Sequence, residues 1–341
     1  MTTTMTAAVL HGARDLRIED VPVPTAGEGE VLLRVDGVGL CGSDVHYYLD
    51  GRNGSNVVRE PAILGHEIAG TVVDTGPGVS AQLLGCRVVV EPAVSCGHCA
   101  QCAAGRYNLC GAGRCLGSPP THGGLARHVV APAVLLHVVP AGLDPVAGPL
   151  VEPLAVAVHA MNRAGLAAGA DVLVSGGGPV GLLVAQVARQ RGARSVTVVD
   201  PAVERLQVAR DLGFERAVTP DQVDGAFDAV LECSGAPAAL GAALRSARPG
   251  RRVVMVGTPP AGEIAVPLGL VQRYEVDVVG CFRYAYAFPE AVRLAASGEV
   301  ELARLVTARF PLREAREALV HAASGQGVKT VVEPEPEGEG A

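Results

Sequence analysis

The chain has 341 residues, 49% of them hydrophobic, with 43 glycines and 24 prolines, which suits two turn-rich globular domains with separate cores. Its net charge of −7 and the absence of any Lys or Arg run argue against nucleic acid or an anionic membrane as a partner. The N-terminus lacks the features of a signal peptide, and glycines interrupt the most apolar run, Val172 to Ala188. We therefore expect a cytoplasmic protein without a membrane span, whose nine cysteines favour metal binding over disulfides.

The first 150 residues are predicted to be mostly β. Residues 7 to 40 alternate apolar and polar positions between prolines and glycines, which indicates short antiparallel strands. The pattern resumes at Ile68 to Val73, Arg87 to Val90 and Leu125 to Val130. Candidate metal ligands are expected on turns between these strands.

Cys41, His66 and Glu67 offer a thiolate, an imidazole and a carboxylate from two places that are 25 residues apart. Mixed sulfur, nitrogen and oxygen ligation suits zinc, and three protein ligands leave a fourth position open, as in a catalytic site. The alternative is that Cys41 is a small core thiol and that His66 and Glu67 form a satisfied turn.

Four further cysteines lie close together in a glycine-rich stretch without hydrophobic periodicity: Cys96, Cys99, Cys102 and Cys110. This spacing predicts a tetrahedral structural zinc that orders a lobe without a core of its own. An iron–sulfur cluster is disfavoured because the last gap has seven residues and is followed by Gly111.

From Asp171 the rhythm changes to strand, glycine turn and helix. Gly176, Gly178 and Gly181 form GxGxxG after a short apolar strand, and the following strand ends at Asp200. The glycines allow close approach of a pyrophosphate, and the carboxylate can accept hydrogen bonds from the adenosine ribose while repelling a 2′-phosphate. The pattern predicts a nicotinamide dinucleotide site that favours NAD over NADP. The alternative is a glycine turn with a structural role alone.

The alternation continues with apolar strands at 226–231, 251–256 and 276–279, which predicts a six-stranded parallel sheet. A last strand is expected at 328–332, followed by a disordered acidic tail at 333–341.

Over residues 7 to 333, the sequence resembles the zinc-dependent medium-chain dehydrogenases, most closely their sorbitol and polyol branch. The resemblance rests on the segments 39–48 and 64–67, on Glu152, where alcohol dehydrogenases carry a cysteine, and on the pair Arg283–Tyr284. It implies an α/β fold with a β-rich GroES-like catalytic domain at 1–153 and 290–341. A Rossmann domain with a doubly wound parallel sheet, which binds NAD, is implied at 154–289.

The resemblance also assigns roles to individual residues. It implies a catalytic zinc held by Cys41, His66 and Glu67, with Glu152 as a fourth ligand or as the acceptor for a zinc-bound water, and a structural zinc on the four-cysteine lobe. Substrate contacts would come from Tyr47, Glu152, Arg283 and Tyr284. Cofactor contacts would come from Gly176, Gly178, Val180, Gly181, Asp200, Arg205, Val256, Gly257, Thr258, Cys281, Phe282 and Arg283.

The implied activity is transfer of a hydride from a secondary alcohol of a polyol to NAD, which gives the ketose. The proton would leave through Glu152 or through Ser43 and His46, and a locally bonded His46 is the alternative. Threonine, 2,3-butanediol or an aminocyclitol are alternative substrates, and a non-catalytic NAD-binding protein is a remote alternative. The resemblance implies a homotetramer. Cys86 stands where the family usually has Asp, which raises the question of local stability there.

Overall fold

The structure is a computed structural model that describes residues 3–260 and 262–334. By its internal contacts the chain divides into two compact units: residues up to Glu152 together with those from Leu302 onward, and residues 153–301. Within the described residues, no helix has the length and apolar character needed to cross a membrane.

The first unit is built on β-strands. In chain order these are β1 (Thr4–Gly12), β2 (Asp15–Pro22), β3 (Glu30–Gly39), β4 (Arg52–Asn53), β5 (Asn56–Val57), β6 (Ala62–Ile63), β7 (Glu67–Thr75), β8 (Arg87–Val90), β9 (Ala93–Val94), β10 (Arg114–Cys115), β11 (His128–Pro132) and β12 (Leu136–Val138). Helix α1 (Gly42–Asp50) follows β3, and the single turn α2 (Ala100–Ala103) lies in the four-cysteine segment.

The second unit alternates strands and helices. After α3 (Val151–Ala164) come β13 (Asp171–Ser175), α4 (Pro179–Gln190), β14 (Ser195–Val199), α5 (Val203–Asp211), β15 (Arg216–Val218), β16 (Phe227–Glu232), α6 (Pro237–Ser246), β17 (Ala247–Met255), α7 (Leu268–Tyr274), β18 (Asp277–Gly280) and α8 (Phe288–Ser297). The return to the first unit consists of β19 (Val306–Pro311), α9 (Ala315–Ser324) and β20 (Lys329–Glu333).

The largest sheet of the first unit joins both ends of the chain. Its strand order is β12-β8-β7-β3-β20-β19, with β11 also paired to β3. Strand β20 runs antiparallel to β3 and parallel to β19, so the last described strand lies directly beside the strand that leads to Cys41. Apolar side chains of β1, β3 and β7 form the core under this sheet, together with Leu312 and Leu319.

The second unit contains the expected six-stranded parallel sheet, in the order β15-β14-β13-β16-β17-β18. Its central strand β13 is buried at Val172, Leu173 and Val174 because helices cover both faces of such a sheet. The order reverses between β13 and β16, and this reversal defines the point at which doubly wound sheets bind ligands.

Two details differ from the sequence-based expectations. The return to the first unit was expected at residue 290, but α8 belongs to the second unit, where Glu290 pairs with Arg191 at 3.0 Å. The acidic tail was expected to begin at Glu333, but this residue ends β20 because its carboxylate pairs with Arg309 at 2.8 Å. Positions 335–341 of that tail lie outside the described residues.

Candidate functional site

Sheet register brings the first group of candidate metal ligands together. Strands β3 and β7 are antiparallel neighbours in which Gly39 pairs with Glu67, and Cys41 follows two residues after Gly39. One candidate ligand atom from each of Cys41, His66 and Glu67 lies within 4.8 Å of the others. The expectation that these residues lie on turns is wrong in part, since Cys41 caps the N-terminus of α1 and Glu67 begins β7.

The chemistry of this group fits a zinc ion. His66 Nδ1 and Glu67 Oε2 are buried, and neither has a hydrogen-bond partner among the described residues. Such atoms are costly unless something satisfies them, and a divalent cation beside a thiolate would do so. Gly39 makes room for the carboxylate, because a Cβ at this position would lie 2.0 Å from Glu67 Oε2.

Asp44, which the sequence reasoning did not single out, connects the two ligand segments. Its side chain is fully buried and accepts hydrogen bonds from the backbone N–H of Cys41 at 2.9 Å and of Gly65 at 3.2 Å. One carboxylate oxygen lies 3.8 Å from His66 Nδ1. Burial lowers the pKa of His66, but the nearby charges of Asp44 and Cys41 outweigh it and raise this pKa well above its usual value.

Lys329, on β20, contacts the same two segments and carries a charge opposite to that of Asp44. Its ammonium group is buried and donates to the backbone carbonyl of Leu40 at 2.9 Å and to Glu67 Oε1 at 2.5 Å. Burial lowers the pKa of Lys329, but the negative charges of Glu67, Cys41 and Glu152 raise it above its usual value. The lysine therefore stays charged at neutral pH.

Glu152 lies outside the group that the structure brings together. It is buried in the first turn of α3, and its charge contributes to the raised pKa of Lys329. The close set of candidate ligands contains only Cys41, His66 and Glu67 among the described residues. A role for Glu152 as direct ligand or as acceptor stays a prediction.

The predicted proton-relay residues Ser43 and His46 lie on α1, two and five residues after Cys41. His46 is more than half exposed and its Nδ1 lies 3.4 Å from Asp50 Oδ2, so it has a local partner. Tyr47 is buried, and its hydroxyl accepts a hydrogen bond from Asn56 at 2.8 Å. The roles of Ser43, His46 and Tyr47 in catalysis or substrate contact stay predictions.

The four cysteines of the second group also converge. One sulfur from each of Cys96, Cys99, Cys102 and Cys110 lies within 4.8 Å of the others. Three of the sulfur–sulfur distances are 3.5, 3.9 and 3.9 Å. Four sulfurs at the usual zinc–sulfur bond length in a tetrahedron are about 3.8 Å apart, so the group fits a structural zinc without rearrangement.

Local hydrogen bonds prepare part of this group for metal binding. The backbone N–H groups of His98 and Cys99, with the thiol of Cys110, lower the pKa of Cys96 to about 6. The backbone N–H of Cys102 likewise lowers the pKa of Cys99, whereas burial raises that of Cys102. Because zinc binds the thiolate, Cys96 is a ligand that needs little deprotonation at neutral pH.

The glycine turn between β13 and α4 has the geometry of a dinucleotide site. Gly176 has φ +108°, and a Cβ on Gly181 would lie 1.8 Å from the Gly176 carbonyl oxygen. Gly178 immediately precedes Pro179, the first residue of α4. A Cβ on Gly178 would meet nothing within 4 Å. This open space at a helix N-terminus is where a pyrophosphate can approach the backbone. Val180 lies in the same first turn.

Asp200 ends the neighbouring strand β14 and is buried beside the turn. Its carboxylate accepts hydrogen bonds from the backbone N–H of Gly177 at 2.7 Å and of Ala202 at 2.8 Å, and Arg205 lies 3.7 Å away. The acid is thus held at the edge of the turn, where the resemblance implies an adenosine ribose.

The other predicted cofactor and substrate residues follow β17 and β18. The backbone N–H groups of Val256 and Gly257 both donate to the Glu232 carbonyl at 2.8 Å, and Thr258 packs against Gly235. Burial raises the pKa of Cys281 to about 12, so this thiol stays protonated.

The segment after Cys281 has a special backbone. Arg283 has φ +50° and its guanidinium lies 5.0 Å from the centre of the exposed Phe282 ring. Tyr284 is buried with its ring edge-on to Phe288. Substrate contact by Arg283 and Tyr284 stays a prediction.

Comparison with known proteins assigns the family. The sequence model of the alcohol dehydrogenase GroES-like domain matches residues 27–141, and that of the zinc-binding dehydrogenases matches residues 179–297. Sorbitol dehydrogenase of Gallus gallus is 40% identical over 97% of this chain and 96% of its own length.

Two solved structures carry the same fold. A putative zinc-binding dehydrogenase from Sinorhizobium meliloti, bound to NADP, has a TM-score of 0.91 at 32% identity and covers 97% of this chain and 100% of its own. The 2R,3R-butanediol dehydrogenase of Bacillus subtilis has a TM-score of 0.88 at 32% identity over 97% of this chain and 100% of its own. The predicted fold class, family and enzyme class are confirmed, and the chain belongs to the zinc-dependent medium-chain dehydrogenases, close to their sorbitol dehydrogenases.

Proposed function

We propose that the chain oxidises a secondary alcohol of a polyol to the ketose and passes the hydride to NAD. The observation that carries this proposal is the buried group of Cys41, His66 and Glu67, in which His66 Nδ1 and Glu67 Oε2 have no hydrogen-bond partner. The similarity to sorbitol dehydrogenases supports a linear polyol as the substrate class.

In this proposal Cys41, His66 and Glu67 hold the catalytic zinc, and Asp44 holds the two ligand segments together through the backbone N–H groups of Cys41 and Gly65. When bound, zinc supplies a Lewis acid that lowers the pKa of an alcohol hydroxyl toward neutrality. Glu152, buried and close enough to influence Lys329, is the favoured proton acceptor, because exposed His46 is already paired with Asp50. A Glu152→Gln variant should then lose activity across the pH range, while His46→Ala should leave the pH profile unchanged.

NAD preference rests on Asp200, whose carboxylate is the acidic group beside the glycine turn. Replacing Asp200 by Ala removes one or two charge-assisted hydrogen bonds to ribose, so kcat/KM with NAD should fall about 10- to 100-fold. The NADP activity should fall less or rise. Exposed Glu204 on α5 offers a matched control, since Glu204→Ala also removes one acid, from the first turn of the helix that follows Asp200.

The experiment that tests the function follows NADH formation by the purified protein with sorbitol, xylitol, ribitol, inositol, threonine, 2,3-butanediol and ethanol. Each assay is run with and without a zinc chelator, and a Cys41→Ser variant serves as the matched control. Chelator-sensitive activity on linear polyols supports the proposal. Activity on threonine or a cyclitol alone keeps the zinc chemistry and replaces the substrate.

A second candidate substrate is 2,3-butanediol, because a solved butanediol dehydrogenase shares the fold over nearly the whole chain. The two substrates differ in the number of hydroxyl groups that polar side chains must bind. If Arg283 contacts polyol hydroxyls, Arg283→Ala should raise the KM for sorbitol far more than the KM for NAD. Equal changes would instead make Arg283 a cofactor or structural residue.

A non-catalytic NAD-binding protein is the remaining alternative from another class. It predicts NAD binding without zinc at the group of Cys41, His66 and Glu67 and without turnover of any alcohol. Zinc content per chain therefore separates the two: two zinc ions support the enzyme, and one, on the cysteine lobe, supports the binding protein.

We also propose that the chain works in the cytoplasm as a homo-oligomer, with the tetramer as the expected state. All nine cysteines are free thiols in the structure, which suits a reducing compartment. Strand β18 lies at the edge of the parallel sheet, and Val278 and nearby Phe282 are exposed. An apolar sheet edge of this kind favours pairing with another chain. Light scattering at assay concentrations measures the mass.

A further inference from the structure

Lys329 is the only lysine of the chain, and the other 27 of its 28 Lys and Arg residues are arginines. The arginines that form ion pairs lie mostly on exposed surfaces, as in Arg309 paired with Glu333 and Arg17 paired with Asp15. Lys329 differs from them in place as well as in type, since its side chain is 2% exposed. The sole ammonium side chain therefore lies at the candidate metal centre.

The ammonium group joins the two segments that carry the candidate ligands. It donates to the carbonyl of Leu40, the residue before Cys41, and to Glu67 Oε1. Its stem packs against the same backbone, since a Cβ on Gly39 would lie 3.0 Å from Lys329 Cε. Lys329 thus engages Oε1, while the other carboxylate oxygen, Oε2, has no hydrogen-bond partner among the described residues.

The chemistry of the position favours a lysine over an arginine. An ammonium is a compact point charge that can donate to a carbonyl and a carboxylate in different directions, whereas a guanidinium is a planar fork that needs more room. A cation at this position also offsets the two negative ligands, Cys41 and Glu67, when they are buried together.

We propose that Lys329 is a positioning residue of the metal centre, which holds Glu67 Oε1 so that Oε2 is presented to zinc and fixes the Cys41 segment through Leu40. The inference rests on the proposed catalytic zinc site. It makes the C-terminal strand β20 part of that site, although Lys329 is 289 residues away from Leu40 in sequence.

Zinc affinity at the catalytic site tests this role. It is measured by competition with a chromophoric chelator, with the four-cysteine lobe kept loaded as an internal reference. Lys329→Met should weaken zinc binding about 10- to 100-fold, the usual effect of losing a group that orients a metal ligand. Arg309→Met, which removes an exposed cation from the neighbouring strand, is the matched control and should leave the affinity unchanged.

A double-mutant cycle with Glu67→Gln separates positioning from general stabilisation. If Lys329 acts through Glu67, Lys329→Met should change zinc affinity by no more than about twofold in the Glu67→Gln background. A similar loss in both backgrounds, or an unchanged affinity in the single variant, would overturn the proposal. Lys329→Arg should recover only part of the zinc affinity. The guanidinium restores the positive charge, but its planar fork cannot reproduce the contacts of a compact ammonium.

A measurement on the wild-type protein covers the case in which Lys329→Met does not fold. Labelling with ¹⁵N-lysine gives one side-chain ammonium signal, since the chain has one lysine. Refilling the catalytic site of the zinc-stripped protein should shift this signal, and an unchanged signal during uptake of the second zinc contradicts the inference. If the wild-type protein takes up only one zinc per chain, the proposed metal site fails instead, and the two failures are distinguishable.

Discussion

The two candidate metal groups of this protein are built in opposite ways. The four cysteines come from one stretch of 15 residues, are partly exposed, and lie in a segment whose short helical turns contain no buried residue. Cys41, His66 and Glu67 lie at or next to the ends of two neighbouring strands of the largest sheet, and two buried charged side chains, Asp44 and Lys329, hold their segments.

The difference shows how each site obtains its geometry. In the cysteine lobe we expect the metal to provide the order, because the contacts that gather the sulfurs among the described residues are local turns and a few N–H···S hydrogen bonds. In the other group the fold provides the order before any metal binds, through sheet register and buried hydrogen bonds. The lobe is then anchored to the sheet by Tyr107, whose hydroxyl donates to Glu91 at 2.6 Å.

The largest expected effect follows from removing a ligand of the fold-built group. Cys41→Ser should lower kcat/KM at least about 10³-fold, because the Lewis acid contributes several kcal/mol to the barrier. The folded structure should persist, since Asp44 still bonds the backbone N–H groups of residue 41 and Gly65. NADH assays measure the loss of turnover, and thermal unfolding of the same preparation shows whether the fold persists. Unfolding of the variant would contradict the idea that this site is formed by the fold.

The reverse result is expected for the cysteine lobe. Cys99→Ser should release the structural zinc, lower the midpoint of thermal unfolding by several degrees and open the segment 96–110 to limited proteolysis. Turnover by the protein that remains folded should fall far less than in Cys41→Ser. Each variant is the matched control for the other, because both replace one candidate ligand thiol. Equal effects on stability and turnover in both variants would contradict the idea that the two metal groups obtain their geometry in different ways.

The same contrast explains what could be predicted from the sequence. The four-cysteine group and the glycine turn could be predicted from the sequence because the residues of each lie close together along the chain. The structure brings those residues together. Asp44 had a local signal as well, three residues after the helix cap at Cys41, where an acid completes a capping box.

Lys329 had no such local signal, because its partners are set by the pairing of β20 with β3. The register of a sheet between distant strands is a property of the whole fold, and no window of sequence contains it. The same limit applies to the last boundary between the units. Glu290 in α8 pairs with Arg191, the residue after α4, and the second unit extends to residue 301.

A smaller effect concerns the reactivity of the thiols in the cysteine lobe. In protein stripped of zinc, Cys96 should react first with iodoacetamide, because its pKa is lowered to about 6 and the thiolate is the reactive form. The rate should rise through pH 6 and level off above it, whereas Cys102, whose pKa is raised, should react last. Peptide mapping by mass spectrometry measures both rates. Equal rates across the pH range would mean that the N–H···S bonds require the metal.

The smallest effect concerns Cys86, a thiol outside both groups, which stands where the resemblance to medium-chain dehydrogenases implies an Asp. Its sulfur donates to the Gln82 carbonyl at 3.4 Å, and neighbouring Arg87 donates to the Leu143 carbonyl at 3.3 Å, so the turn has its own partners. Because the position is partly exposed, Cys86→Asp should change the free energy of unfolding by no more than about 0.5 kcal/mol. Zinc content should stay at the wild-type value. Urea denaturation measures the difference, and a stabilisation above about 1 kcal/mol would show that the missing carboxylate leaves this turn weak.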